Sequence, residues 1–183
     1  MAAAPAIYET RPALWVAASL GHSEEVGQLL EEGADIEKKS GCFKTTPLLE
    51  AVLRGVGKDT VRILLEHGAD VTTTNPLHAV TSRLNPGLGD LEVARLLLEY
   101  GADVSTQDDF GDTPLHLATE AVTDGDGHYL QMVGLFLEHG ANPAAKNNEG
   151  NTPFHNAVGV ADLAIVRLLL DTVFCCDPLY REA

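Results

Sequence analysis

The chain has 183 residues, and its 12 Lys and Arg against 27 Asp and Glu leave a formal charge of −15. That balance argues against the clustered basic surface that phosphate neutralisation needs, so neither a nucleic acid nor an anionic membrane is expected as a partner. A hydrophobic content of 45% excludes wholesale disorder, and aromatics at 5% leave the core mainly to Leu, Val, Ile and Ala.

The first ten residues carry neither a basic patch nor a long apolar run, and are not expected to act as a secretory signal. The longest apolar stretch, 163–170, is interrupted by Arg167 and falls short of the roughly 18–20 residues of a membrane span. The three cysteines are an odd number, with Cys175 and Cys176 adjacent and Cys42 far away in sequence. Neighbouring cysteines are poorly placed to bridge, so a reduced compartment, cytoplasm or nucleus, is expected.

Taken in chain order, the segments repeat two phrases. Ala17-Ala-Ser-Leu-Gly-His22 is followed by Leu-Leu-Glu-Glu-Gly-Ala-Asp, ending at Asp35. Then come Thr46-Pro-Leu-Leu-Glu-Ala51, Asn75-Pro-Leu-His-Ala-Val80, Thr113-Pro-Leu-His-Leu-Ala118 and Thr152-Pro-Phe-His-Asn-Ala157. The first three of these precede a copy of the second phrase, ending at Asp70, Asp103 and Asn142. Thr46, Thr113 and Thr152 are suited to cap a helix by accepting a backbone N–H, and the Pro after each fits the first helical position. Leu91, Val93, Ala94, Leu96, Leu97 and Leu98 form the broad apolar stripe of a helix buried between neighbours. Gly33, Gly68, Gly101 and Gly140, spaced 35, 33 and 39 residues apart, mark where each such helix stops.

These phrases resemble the ankyrin-repeat family, whose unit is about 33 residues long with a Thr-Pro-Leu-His signature. The resemblance covers the chain from about residue 12 to about 173, and implies an all-α solenoid of helix-turn-helix units with β-hairpin fingers. About five units fit, at 5–37, 38–72, 73–105, 106–144 and 145–173, within one domain that ends in a tail, 174–183. A unit this short cannot cover both helix faces alone, so it must stack on the next. The resemblance also implies that His78, His116 and His155 bond neighbouring backbone. The Asn that family members carry two residues after Gly-Ala-Asp, a hydroxylation site, is here Glu37, Thr72, Ser105 and Ala144.

Departures from the repeat single out particular segments. Pro12 and Trp15 stand where the signature has Thr and His, as suits a capping unit. The finger before Asn75 is short and expected to be stunted. The connections 82–90 and 120–129 are enlarged by Gly, Pro and Asp, and are expected as surface loops. The tail, with Phe174, Leu179 and Tyr180, either folds back as a cap or leaves an apolar end.

Chemical motifs fail on spacing. Gly55-Val-Gly-Lys-Asp-Thr60 lacks the first Gly and the hydroxyl of a phosphate loop. Asp124-Gly-Asp-Gly-His128 begins like a calcium loop but has Tyr129 and Leu135 where Gly and Glu are needed. Neither a zinc ligand set nor a nucleophile elbow is present, and no cofactor or metal is expected.

In ankyrin stacks the fingers and first helices line a groove, which makes a non-catalytic protein-binding scaffold the expected function. The matching positions here are Lys38, Lys39, Phe43, Lys44, Glu50 and Arg54, then Arg83, Asp108, Asp109, Phe110, Asp112 and Glu120, then Lys146 and Asn147. Phe43 and Phe110 are the expected anchors, since large aromatics dominate interface energetics. Two alternatives remain at the level of sequence. One is a small-molecule site or enzyme using His128 with Asp124 and Asp126 as acid and base. The other is a module that self-associates through its C-terminal unit.

Overall fold

The computed structural model describes residues 11–72, 75–81, 88–120 and 127–175, except the side chains of 88–89 and 173–175. It divides into two compact units, Met1–Asp70 and Val71–Ala183. The described residues of the first unit form α1 (Ala13–Leu20), α2 (Ser23–Glu31), α3 (Pro47–Arg54) and α4 (Lys58–Glu66). Those of the second form α5 (Pro76–Thr81), α6 (Leu88–Glu99), α7 (Pro114–Glu120), α8 (His128–Glu138), α9 (Pro153–Gly159) and α10 (Leu163–Cys175). Among the described residues there is no strand, and one isolated antiparallel bridge joins Ser40 to Thr45. None of these helices is long and apolar enough to cross a membrane.

Each unit has two layers. In the first, α1 packs on α3 and α2 on α4, with α1–α2 and α3–α4 as antiparallel partners. In the second, α5, α7 and α9 make one row and α6, α8 and α10 the other. The cores are aliphatic, as the composition requires. Leu14, Val26, Leu48, Val61 and Leu64 fill the first, while Leu77, Leu97, Leu115, Val133, Phe136 and Ile165 fill the second. Buried hydroxyls turn back onto their own helices: Thr119 Oγ1 donates to the His116 carbonyl at 2.8 Å, and Thr81 Oγ1 to that of Leu77 at 3.1 Å.

Four helices end in the same way. Gly33, Gly68, Gly101 and Gly140 have φ near +85 to +87°, and each N–H, with that of the following Ala, satisfies carbonyls of the last turn. At Gly101, for example, its N–H donates to Leu98 O at 3.0 Å and Ala102 N–H to Leu97 O at 2.9 Å. Two first helices, α1 and α3, stop likewise, at Gly21 and Gly55, but α9 uses Ala161 at φ +58°. Its bonds run from Ala161 N–H to Val158 O and from Asp162 N–H to Ala157 O. The Cβ of Ala161 therefore carries a left-handed penalty that the glycines avoid.

The Thr caps behave differently from one pair to the next. Thr46 Oγ1 accepts the Leu49 N–H at 3.2 Å, as expected. At Thr113 the hydroxyl instead donates to His116 Nδ1 at 2.9 Å, and that nitrogen also takes the Thr113 N–H at 3.1 Å. Thr152 and His155 repeat the arrangement at 2.8 and 3.2 Å. The cause is the residue three places on: a Leu offers no competing acceptor, whereas an imidazole does.

Two connections are shorter than the sequence suggests. α6 already begins at Leu88, with Asp90 in its first turn, where a carboxylate suits the helix dipole. α7 reaches Glu120 and α8 starts at His128, so that both ends of the second connection are helical. The remainders, 82–87 and 121–126, lie outside the described residues, as do 73–74 of the short finger and the tail from 176 on.

Ala161→Gly should raise the urea midpoint by an amount equivalent to about 0.5–1 kcal/mol, because relief of the left-handed strain exceeds the added unfolded-state entropy. An unchanged or lower midpoint would show that Ala161 is unstrained.

Candidate functional site

The first helices are tied to the turns that follow them by one recurring hydrogen bond. Trp15 Nε1–H donates to the carbonyl and hydroxyl of Thr45, both at 3.1 Å. His78 Nε2 reaches the carbonyl of Asp112 at 2.9 Å, and His116 Nε2 that of Asn151 at 3.2 Å. In each case the acceptor directly precedes a Thr-Pro pair. A carbonyl only accepts, so Nε2 must carry the proton in both histidines, leaving Nδ1 as an acceptor. Trp15 thus takes over the imidazole's role with a donor of similar reach, while Arg11 lies over its ring at 5.2 Å.

The turns are built by side chains that cap backbone N–H groups. Asp108 Oδ1 accepts from Phe110 N and Asp112 N, both at 2.9 Å. Asn147 Oδ1 does the same for Glu149 N at 3.1 Å and Asn151 N at 2.9 Å. Neighbouring turns of the second unit are stitched together: Asn148 N donates to Phe110 O at 3.0 Å, and Asn147 Nδ2 to Asp112 Oδ1 at 2.8 Å. The approach is close at Gly111, where a Cβ would lie 2.8 Å from the Asn148 backbone nitrogen. In the first unit Ser40 and Thr45 exchange both backbone bonds at 3.0 Å, and Trp15 packs under Gly41.

These turns hold two aromatic rings in solvent. Phe43 is 91% exposed and Phe110 74%, so neither packs against an adjacent turn. Lys38, Lys39 and Lys44 share the exposed surface of the first turn, and Asp109 that of the later one. Asp108 and Asp112 are half-buried, Glu120 is exposed, and neither Asp112 nor Glu120 forms an ion pair among the described residues. Lys146 is exposed, with its carbonyl taking a bond from Gln107; Asn147 is half-buried in its turn.

Glu50 departs from its expected role. It is 7% exposed, with one oxygen accepting from the Thr45 hydroxyl at 2.9 Å and the other from Arg54 Nε at 2.8 Å. A carboxylate enclosed this way fixes the α3 end of the Trp15 network and is not offered to a partner. Arg54, exposed but paired to it, presents the remainder of its guanidinium.

His128 is the first residue of α8 rather than a loop residue, preceded by Gly127 at φ +70°. Asp124 and Asp126, which the acid–base alternative needs, lie outside the described residues, as does Arg83. Among the described residues, no group of three or more His, Cys, Asp and Glu is arranged to hold a metal.

In the second unit, two clefts meet along Phe110, Asp112 and Glu120. One, of about 520 Å³, is completed by Asn75, His78, Ala79, Asp108 and Leu117. The other, of about 410 Å³, is completed by Glu149 and four asparagines, Asn147, Asn148, Asn151 and Asn156. Asn148 and Asn151 were not singled out by sequence; their position beside Asn147 before a Thr-Pro pair was the available signal. His78 differs from the other two motif histidines. Its Nδ1 is buried and has no partner among the described residues. Asn75 stands where the other copies have Thr, and its φ of +44° does not bring its N–H to that nitrogen.

Residues 6–75 and 77–178 match the family model described as ankyrin repeats (3 copies). No curated protein matches the chain.

Two measurements test this architecture. His116→Leu should lower stability by about 1–3 kcal/mol in denaturant unfolding, since it leaves the buried Thr113 N–H without a partner and takes one of two donors from the Asn151 carbonyl, which keeps the Asn147 N–H at 2.9 Å. His155→Leu, at an exposed ring, should cost far less; equal losses would contradict the bridging role. Separately, the Asp103 carboxyl is held below its ordinary 3.8 by the Ser105 hydroxyl at 2.6 Å and then by the Ser105 N–H at 2.8 Å. A depressed carboxylate stabilises above its unfolded pKa, and that contribution is lost as pH falls through the folded value. Ser105→Ala should move the Asp103 carbon resonance titration to higher pH; an unmoved titration would contradict the assignment.

Proposed function

The chain belongs to the ankyrin-repeat family, and from that premise we propose that it is a non-catalytic scaffold that captures a partner protein with its turns and first helices. Ankyrin repeats are in general modules of protein–protein interaction. The ten described helices, taken as pairs, correspond in this reading to five repeats with a finger-like turn ahead of most first helices. The observation that supports the reading best is the solvent exposure of Phe43 and Phe110 on turns closed by backbone hydrogen bonds. A hydrophobic ring held rigidly in water loses little entropy on binding and gains its full burial. The sign of the chain's charge makes a partner with a neutral or basic surface the better fit. The formal charge of −15 makes nucleic acid the poorer one, and a reduced compartment suits the three cysteines.

Self-association through the last helix pair is a second reading, favoured by the exposure of Val158 at 53% and Leu163 at 81%. Light scattering of Val158→Asp with Leu163→Asp distinguishes the two, since a scaffold keeps its wild-type mass and a self-associating end falls to a lower one.

Phe43→Ala with Phe110→Ala should abolish capture of the protein that the wild-type chain retains from native lysate. Both rings are exposed, so the thermal midpoint should stay nearly unchanged. Capture that survives the double substitution assigns the wrong face.

A further inference from the structure

We infer that the paired clefts of the second unit take an extended segment of the partner protein carrying an arginine, its guanidinium held by Asp112 and Glu120 beside the Phe110 ring. This deepens the scaffold reading and rests on it. Three independent observations carry it.

The first is the supply of hydrogen-bonding atoms. Each asparagine of the smaller cleft directs its NH2 into the protein: Asn147 to Asp112 at 2.8 Å, Asn148 to the Asp109 carbonyl at 3.1 Å, Asn151 to Glu149 at 3.1 Å and Asn156 to the His116 carbonyl at 3.3 Å. Because those partners only accept, the amide orientations are fixed. Asn147 also uses its oxygen on backbone N–H groups, so the amides are largely engaged and the carboxylates of Asp112 and Glu120 set the character of the clefts. Glu120 has no hydrogen bond or ion pair among the described residues, and Asp112 keeps one carboxylate oxygen free of the Asn147 bond. No Lys or Arg is among the described residues lining either cleft. A surface of acceptors calls for a ligand of donors, and guanidinium offers five in a planar fork.

The second is His78. It lines the larger cleft, is 7% exposed, and has its Nε2 proton committed to Asp112 O. Its Nδ1 lone pair has no donor among the described residues, whereas His116 and His155 fill theirs with Thr N–H groups. An unmatched buried acceptor costs free energy that a donor recovers only where the cleft wall opens to it, since the atom is closed to solvent in the free chain.

The third is a comparison within the chain. Asp108-Asp-Phe-Gly-Asp-Thr113 and Asn147-Asn-Glu-Gly-Asn-Thr152 are the same turn, with Asp at three places where its neighbour has Asn. Asn147 closes its turn with the same two bonds that Asp108 makes, so the fold does not need the negative charge. Nor does it need a ring at the tip, since Glu149 occupies the place of Phe110. Carboxylates and an aromatic face together are the surroundings an arginine prefers.

The test is selection of short random peptides displayed on phage against the full chain, repeated on D112N/E120Q and on F110A. D112N retains the Oδ1 that Asn147 bonds, and E120Q is exposed, so the unfolding midpoint should confirm an intact fold. The expected winners carry arginine next to an apolar residue, bind at least about tenfold more weakly to D112N/E120Q, and weaken with rising salt. E120K should then prefer the same peptide with glutamate in place of arginine. Winners without arginine that still need Phe110 overturn the cationic ligand and leave the scaffold reading standing. Winners indifferent to all three substitutions, or no winners, overturn both. Equal binding of lysine-for-arginine peptides overturns recognition of the guanidinium fork.

Discussion

A side-chain N–H of a first helix donating to the carbonyl that precedes the next Thr-Pro is the contact on which the two units are organised. Its geometry explains several otherwise separate features. The donor must come from a ring long enough to cross between elements, which is why Trp15 substitutes for histidine in the first helix. The acceptor must be a backbone carbonyl at a fixed place, which requires the turn beneath it to have one conformation. That conformation is imposed by Asp108 and Asn147, whose oxygens hold two N–H groups each. Breaking the bridge at His116 would therefore strand the buried Thr113 N–H and loosen the next turn, whose Asn151 carbonyl would keep only the Asn147 N–H.

Much of this was legible in the residues. Two phrases in register gave the helix pairs, the glycine positions gave their ends, and the aliphatic composition gave the core. The backbone-bonding role of the motif histidines was readable only through the family resemblance, and the structure bears it out at His78 and His116. What escaped was decided by competition between neighbours. Thr113 differs from Thr46 because an imidazole, absent from the earlier copy, outbids the backbone N–H for the hydroxyl. Glu50 read as a groove residue from its place on the helix, yet the Thr45 hydroxyl and Arg54 draw its carboxylate inward. Helical position specifies a direction, not the partners waiting there.

The candidate site was half-legible for a related reason. Exposed rings and charges at turn tips follow from alternation and spacing, and the structure keeps Phe43 and Phe110 in solvent. Of the asparagines of the smaller cleft, Asn148 and Asn151 did not stand out, because Asn in a turn has an ordinary explanation. The relevance of these amides lies in which end is used, and for Asn148 and Asn156 that depends on the carbonyls of Asp109 and His116, 39 and 40 residues away. No pattern local to the turn contains it.

Comparison of equivalent turns separates what the fold needs from what it merely tolerates. Asn and Asp cap a turn equally well, since both present an oxygen to the same N–H groups. Where one copy has Asn and the next has Asp throughout, the difference is charge alone, and like charges crowded on one turn oppose folding to a small degree. Turn closure gains nothing from the charge of Asp108, since Asn147 makes the same two bonds. A ring in water at Phe110 gains nothing either, while the matching Glu149 would be better solvated. Two features that the turn does not require meet on the same cleft, and a cationic side chain with an apolar neighbour is the chemistry that would use both.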